Sequence, residues 1–132
     1  MRPLILIAAL LLTGCTTPQQ RLEFAMQRLE IDRQAARPVT CTAGEDCEVK
    51  WGRALQWVLD NSAYKLQTQS DALLSTFGPF PNDPRPAYSI SKVATGGGNY
   101  VIDFRGGCDN IFGCQPTLLE GKASFVGAVM GP

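Results

Sequence analysis

Residues 46–77 read DCEVKWGRALQWVLDNSAYKLQTQSDALLSTF, and a change of period inside this stretch decides the fold. Up to Asn61 the apolar side chains recur at helical spacing. Trp51, Ala54, Leu55, Val58 and Leu59 share one broad face, with Trp57 on its flank. Asp46 is the expected N-cap, and Glu48 falls in the first turn, where the helix dipole favours an acid. Asn61-Ser62 ends the helix. From Ala63 the period drops to two. Tyr64, Leu66 and Thr68 alternate with Lys65, Gln67 and Gln69, as in a strand with one wet face. Gln69-Ser70-Asp71 reads as a tight turn, and Ala72–Phe77 as the returning strand.

Downstream, Gly78–Pro86 holds four prolines and is expected to be a loop or extended segment. Ala87–Val93 reads as a third strand and Tyr100–Phe104 as a fourth. Thr95-Gly96-Gly97-Gly98-Asn99 between them suits a hairpin, because glycine accepts positive φ at no steric cost. Gly106–Cys114 is expected to be a cysteine-bearing loop. Leu118–Met130 has two readings. Leu118, Leu119, Ala123, Val126 and Met130 fall on one helical face after Pro116, yet Gly121 and Gly127 each weaken a helix by roughly 1 kcal/mol. A terminal strand over Ala123–Met130 is the alternative.

Upstream, Gln19–Ala36 reads as a helix whose narrow apolar stripe is Leu22, Ala25, Met26 and Leu29. Pro38 ends it, since the residue before a proline is pushed out of the helical region. So narrow a stripe predicts loose packing on the main body. Thr40–Asp46 is expected to be a loop. The fold class that results is α+β, about four antiparallel strands in a meander with helices packed on one face. Trp51, Leu55, Val58, Tyr64, Leu66, Leu74, Ile90, Val101, Ile102 and Phe104 are the expected core, with the inward member of the Val101/Ile102 pair left open.

The first fifteen residues carry an address. Arg2 precedes an apolar run from Leu4 to Leu12, too short to span a bilayer. The run ends in Leu12-Thr13-Gly14-Cys15, which resembles a bacterial lipobox. The resemblance implies lipid on the Cys15 thiol, cleavage before Cys15 and acylation of the new amino group, with palmitate expected among the chains. Thr16 stands where aspartate would signal inner-membrane retention in enterobacterial lipoproteins. The expected location is therefore the periplasmic face of the outer membrane, with the inner membrane as the alternative. The predicted organisation is a signal peptide at 1–14, a lipidated Cys15 and tether at 15–18, an N-terminal helix at 19–37 and a single α+β domain at 38–132.

Cys41, Cys47, Cys108 and Cys114 remain. An even set in an oxidising compartment reads as two disulfides. Four cysteines allow three connectivities. The local pairs Cys41–Cys47 and Cys108–Cys114 are favoured because each intervening pentapeptide is turn-rich. A zinc site usually has shorter C-x2-C to C-x4-C arms, and a redox pair usually has C-x-x-C.

The chain has 132 residues, with 12 basic and 12 acidic side chains, and no histidine. Zero formal charge argues against a nucleic-acid partner, and the lack of histidine removes His-based triads and His-liganded metal. No metal and no cofactor are expected. Thr95–Asn99 lacks the Lys-Ser/Thr of a phosphate loop. Glu45, Asp46, Glu48 and Asp109 match no calcium-loop spacing. Ser62 with Lys65, and Ser91 with Lys92, lie in no recognisable dyad motif.

The body of the chain resembles small proteobacterial envelope lipoproteins, some carried by prophages. The residues that carry the likeness are Glu45-Asp46-Cys47, Lys50-Trp51, Ala54, Trp57-Val58, Asn61-Ser62, Tyr64-Lys65-Leu66-Gln67, Ser70-Asp71 and Cys108-Asp109-Asn110. It implies a folding unit and a location, and no activity. The function expected is a non-enzymatic, membrane-tethered binding or assembly module with an envelope protein as partner. Its candidate contact residues are Trp57 and Phe112, aromatic types that suit interface anchors. The alternative is an envelope enzyme, or an enzyme inhibitor, acting on cell-wall or protein substrates.

Overall fold

The computed structural model describes residues 16–131; the signal segment and Cys15 lie outside the described residues. The elements are α1 (Pro18–Ala36), β1 (Thr40–Thr42), α2 (Glu45–Asn61), β2 (Leu66–Gln69), β3 (Leu73–Thr76), β4 (Asp83–Gly96), β5 (Asn99–Asp109) and α3 (Leu118–Met130). The strands form one antiparallel sheet in the order β1-β5-β4-β3-β2. This is the expected α+β meander with a fifth strand added. Thr40, Cys41 and Thr42 pair with Val101, Tyr100 and Asn99, inside a segment expected to be a loop. Three residues carry no readable period, so only the distant pairing reveals β1.

Register sorts the sheet into a covered and an open face. Opposed residues of an antiparallel pair share a face. Leu74, Ile90 and Phe104 form one row, and Lys92 faces Ile102 in another. These rows lie beneath α2 and α3. Ile102 is thus the inward member of its pair, buried at the centre, while Val101 is half-buried on the other face. On that open face Ser75, Ser89 and Arg105 align, as do Leu73, Ser91 and Asp103. At the next covered position β5 has Gly106 opposite Tyr88. A Cβ there would meet the Leu118 side chain at 3.0 Å and the Tyr88 ring at 3.2 Å, so the missing side chain is what lets α3 settle on the sheet.

The last segment is a helix. Thr117 and Glu120 close a capping box: Thr117 Oγ1 accepts from the Glu120 N–H, and the Thr117 N–H donates back to the Glu120 carboxylate. The buried face is Gly121, Ala123, Phe125, Val126 and Val129, whereas Leu118 and Leu119 stay partly exposed. Gly121, a liability by propensity, lies against the Tyr88 hydroxyl and the Phe104 ring. Tertiary packing outweighs the local cost of about 1 kcal/mol.

Helix α1 corrects the sequence reading most. It starts at a Thr17–Gln20 capping box with Pro18 in the first turn. Its expected core stripe faces solvent: Leu22 is 65% exposed, Met26 61% and Leu29 58%. The opposite side meets α3, where Phe24, Gln27, Arg28 and Ile31 line a groove with Thr117, Leu119 and Glu120. Only Ala35 is buried outright, and Ile31 and Gln34 are half-buried. The helix leans on the domain through its C-terminal half. The expected loose packing holds, but on the other face.

Candidate functional site

Two disulfides close at Cys41–Cys47 and Cys108–Cys114, the local pairs expected. The first is a core element. Both its cysteines are buried, joining β1 to the first turn of α2. Gly44 is the N-cap of α2, without a side-chain cap, so Asp46 is not the expected cap. Asp46 instead accepts the Thr42 N–H at 2.8 Å and pairs with Lys50 at 3.0 Å. The Thr42 amide and then Lys50 hold its carboxyl below the usual aspartate range. Lys50 also donates to the Thr40 carbonyl, so the ring and both its neighbours are tied together.

The second disulfide ties Cys108, the next-to-last residue of β5, to Cys114 and closes an exposed finger; β5 thus runs to Asp109, into the segment expected to be a loop. Within it the Gly113 N–H donates to the Asn110 carbonyl at 3.1 Å, a β-turn with Ile111 and Phe112 at its two central positions. The Asn110 side chain accepts the Phe112 N–H at 2.9 Å and donates to the Asn82 carbonyl at 3.2 Å. The Gln115 N–H donates to the Pro84 carbonyl at 2.8 Å, and Asp109 bridges to Pro81. Gly113 has φ +87°, a backbone state that L side chains rarely adopt. The finger is therefore held from both sides of its base. Its tip is apolar: Ile111 is 90% exposed and Phe112 88%.

The base is braced by charge. Arg85 grips Asp83 through two guanidinium nitrogens, at 2.6 Å from Nη2, and its backbone N–H donates to the same carboxylate. This guanidinium, more than any other neighbour, drives the Asp83 carboxyl far below the ordinary range. Phe80, half-exposed, stacks edge-on to Tyr64 at 5.2 Å.

Helix α1 has a fixed direction relative to this finger. Phe24 to Ile31 lie beside the first turn of α3, and the Gln34 amide reaches Gly127 one helix-half later. The two helices run in the same sense. The N-terminus of α1 therefore projects past the start of α3, at the end of the domain that carries the finger.

Of the two candidate contact residues, Phe112 is placed as expected and Trp57 is not. Trp57 is only 5% exposed. Its ring sits edge-on to Tyr88, Phe104 and Phe125 at 5.0, 5.7 and 5.4 Å, and its indole N–H donates to Ser124 Oγ at 3.0 Å. Helix α2 lies in the corner between sheet and α3, so its flank is covered as fully as its main stripe. Leu59, read on the same apolar face as Val58, is the side chain left out, at 55%. Ile111 was missed; its signal was an Asn-x-x-Gly turn with two apolar central residues.

The remaining candidates are dispersed. Glu45, Asp46 and Glu48 start α2, whereas Asp109 lies at the finger. Ser91 and Lys92 are on opposite sheet faces, and Ser62 Oγ accepts the Tyr64 N–H in a local turn. Lys92 lies over the Trp51 and Tyr100 rings, at 5.2 and 5.8 Å, in a cleft that Glu48 and Asp71 also line. Gly96–Gly98 make the hairpin turn, all with positive φ. Among the described residues no three His, Cys, Asp or Glu side chains converge as a metal site, and no helix is long and apolar enough to cross a membrane. No protein-family model, curated protein or solved structure matches this chain.

Proposed function

We propose that this chain is a lipid-anchored module of the bacterial envelope that acts by contact, as a binding or assembly element, and not as a catalyst. Its anchor is lipid on Cys15, and Thr16 directs it to the periplasmic face of the outer membrane. The observation that carries the reading is the Cys108–Cys114 finger, which holds Ile111 and Phe112 in solvent on a doubly braced base. Apolar surface held rigidly in water loses little conformational entropy on binding, which is the advantage of a preorganised contact. The sequence context agrees, since paired cysteines and a lipobox belong to the same oxidising compartment.

Photo-crosslinking in intact cells tests this. A photoreactive side chain at position 112 is expected to give adducts with an envelope component, and one at the buried position 57 none. The position-112 adducts are expected to vanish in a Cys15→Ser chain, which also loses label from a fatty-acid analogue. Adducts unchanged by Cys15→Ser, or undiminished fatty-acid label on it, would refute the anchored module.

A further inference from the structure

The geometry points to the lipid surface itself as what the finger touches: we propose that Ile111 and Phe112 seat in the bilayer to which Cys15 tethers the chain, fixing which end of the domain faces it. The inference rests on the anchoring reading above and adds the occupant of the site. Three observations support it.

The first is position. α1 and α3 run in the same sense, with Phe24 to Ile31 beside Thr117 to Glu120. From Phe24 back to Pro18 the helix rises about 9 Å at 1.5 Å per residue. Thr16, directly after Cys15, accepts a hydrogen bond from Arg21. The anchoring end of the chain therefore leaves on the same side as the finger, which joins α3 through Gln115-Pro116-Thr117 alone. The opposite end is the turn at Gly96–Gly98, with no large apolar side chain in it.

The second is shape. Two adjacent side chains on a convex turn offer far less than the roughly 800 Å² that a stable protein interface takes from each partner. A bilayer needs no matching surface and accepts a small apolar tip directly. The anchor also makes the contact intramolecular in effect, so a weak second contact is enough to set orientation.

The third is charge. At the base of the finger Asp83 is neutralised by Arg85, and the pentapeptide inside the ring, Asp109–Gly113, holds no lysine or arginine. The contact is therefore apolar in origin. It should not depend on anionic lipid or be weakened by salt, unlike binding through a polybasic patch.

The test uses the mature lipidated chain in phosphatidylethanolamine/phosphatidylglycerol vesicles, with plain or dibrominated acyl chains. Phe112→Trp adds an indole at the tip, away from buried Trp57 and from Trp51 in the Lys92 cleft. Bromine quenches only indoles in or beside the chains. The expected result is loss of the added emission on brominated vesicles, unchanged by salt and by removing phosphatidylglycerol, while the unsubstituted protein keeps its emission. Full emission from Phe112→Trp on brominated vesicles with which the protein co-floats would overturn the lipid contact and leave the anchor standing; a protein adduct from position 112 would then name a protein as the occupant. Failure to co-float would overturn the anchor and this inference together.

Discussion

Cys41–Cys47 and Cys108–Cys114 close rings of equal length, six residues apart in sequence, yet the fold uses them in opposite ways. The first ring is buried beside Val39 and Trp51 and ties an edge strand to a helix start. The second starts on the last two residues of β5 and runs out past the sheet, where Asn110 hydrogen-bonds to the neighbouring loop and the apolar side chains face water. The spacing of the cysteines sets ring size alone. What surrounds a ring decides whether it supports a core or presents a surface. In the chain-entropy account both contribute similarly, about 2 kcal/mol each. The first adds buried side-chain area; the second adds rigidity at a tip.

The largest test of this contrast compares the aromatic at the heart of the core with the one on the tip. Trp57→Ala removes the ring at the centre of three edge contacts and leaves Ser124 without its donor, so it should cost about 3–5 kcal/mol. Urea denaturation of the non-lipidated domain reads it, and a cost below about 1 kcal/mol would place Trp57 outside the core.

Next is the pair of rings. Replacing Cys41 and Cys47 together by alanine should cost about 3–4 kcal/mol, ring entropy plus lost buried contact. The same change at Cys108 and Cys114 should cost no more than about 2 kcal/mol. It should, however, speed hydrogen exchange at the Phe112 and Gly113 amides, which the Asn110 turn protects. Equal stability losses at the two rings would erase the distinction drawn between them.

A smaller effect separates the rings by pH. Asp46 at the first ring, Asp83 at the finger base and Glu120 at the α3 cap all have folded values below the ordinary ones. The native state then binds fewer protons than the unfolded chain, so stability is fully present above the unfolded values and is lost as pH falls below roughly 5. Thermal melts across pH 3–7 should show this loss, shallower in Asp83→Asn, whose carboxyl is shifted most clearly. A slope unaltered by Asp83→Asn would remove the Arg85 brace from the account. The smallest expected effect is that of Phe112→Ala on stability, within about 0.5 kcal/mol, because an exposed tip has no packing to lose. A cost above 2 kcal/mol would mean the ring is packed and the finger is not a presented surface.

Much of this molecule is local in origin. The switch from period 3.6 to period 2 near Ala63 set the extent of α2 and the end of β2, although β2 starts at Leu66 and not at Tyr64, and the glycine run set the β4–β5 turn, where glycine accepts positive φ at three successive positions. The turn-rich pentapeptides predisposed both cysteine pairs to close locally. Other features needed partners far away in the chain. β1 exists only because β5 supplies its pairing, and α3 can lie close on the sheet because Gly106 and Gly121 leave space that Leu118, Tyr88 and Phe104 fill. The choice of inward face was the least legible property. A single stripe was visible on α1, and the opposite side is the one that meets α3; a single flank position was visible for Trp57, and α3 covers it. Period reports that a face is apolar, but burial depends on which surface arrives there, and that is settled only when helices and sheet pack together.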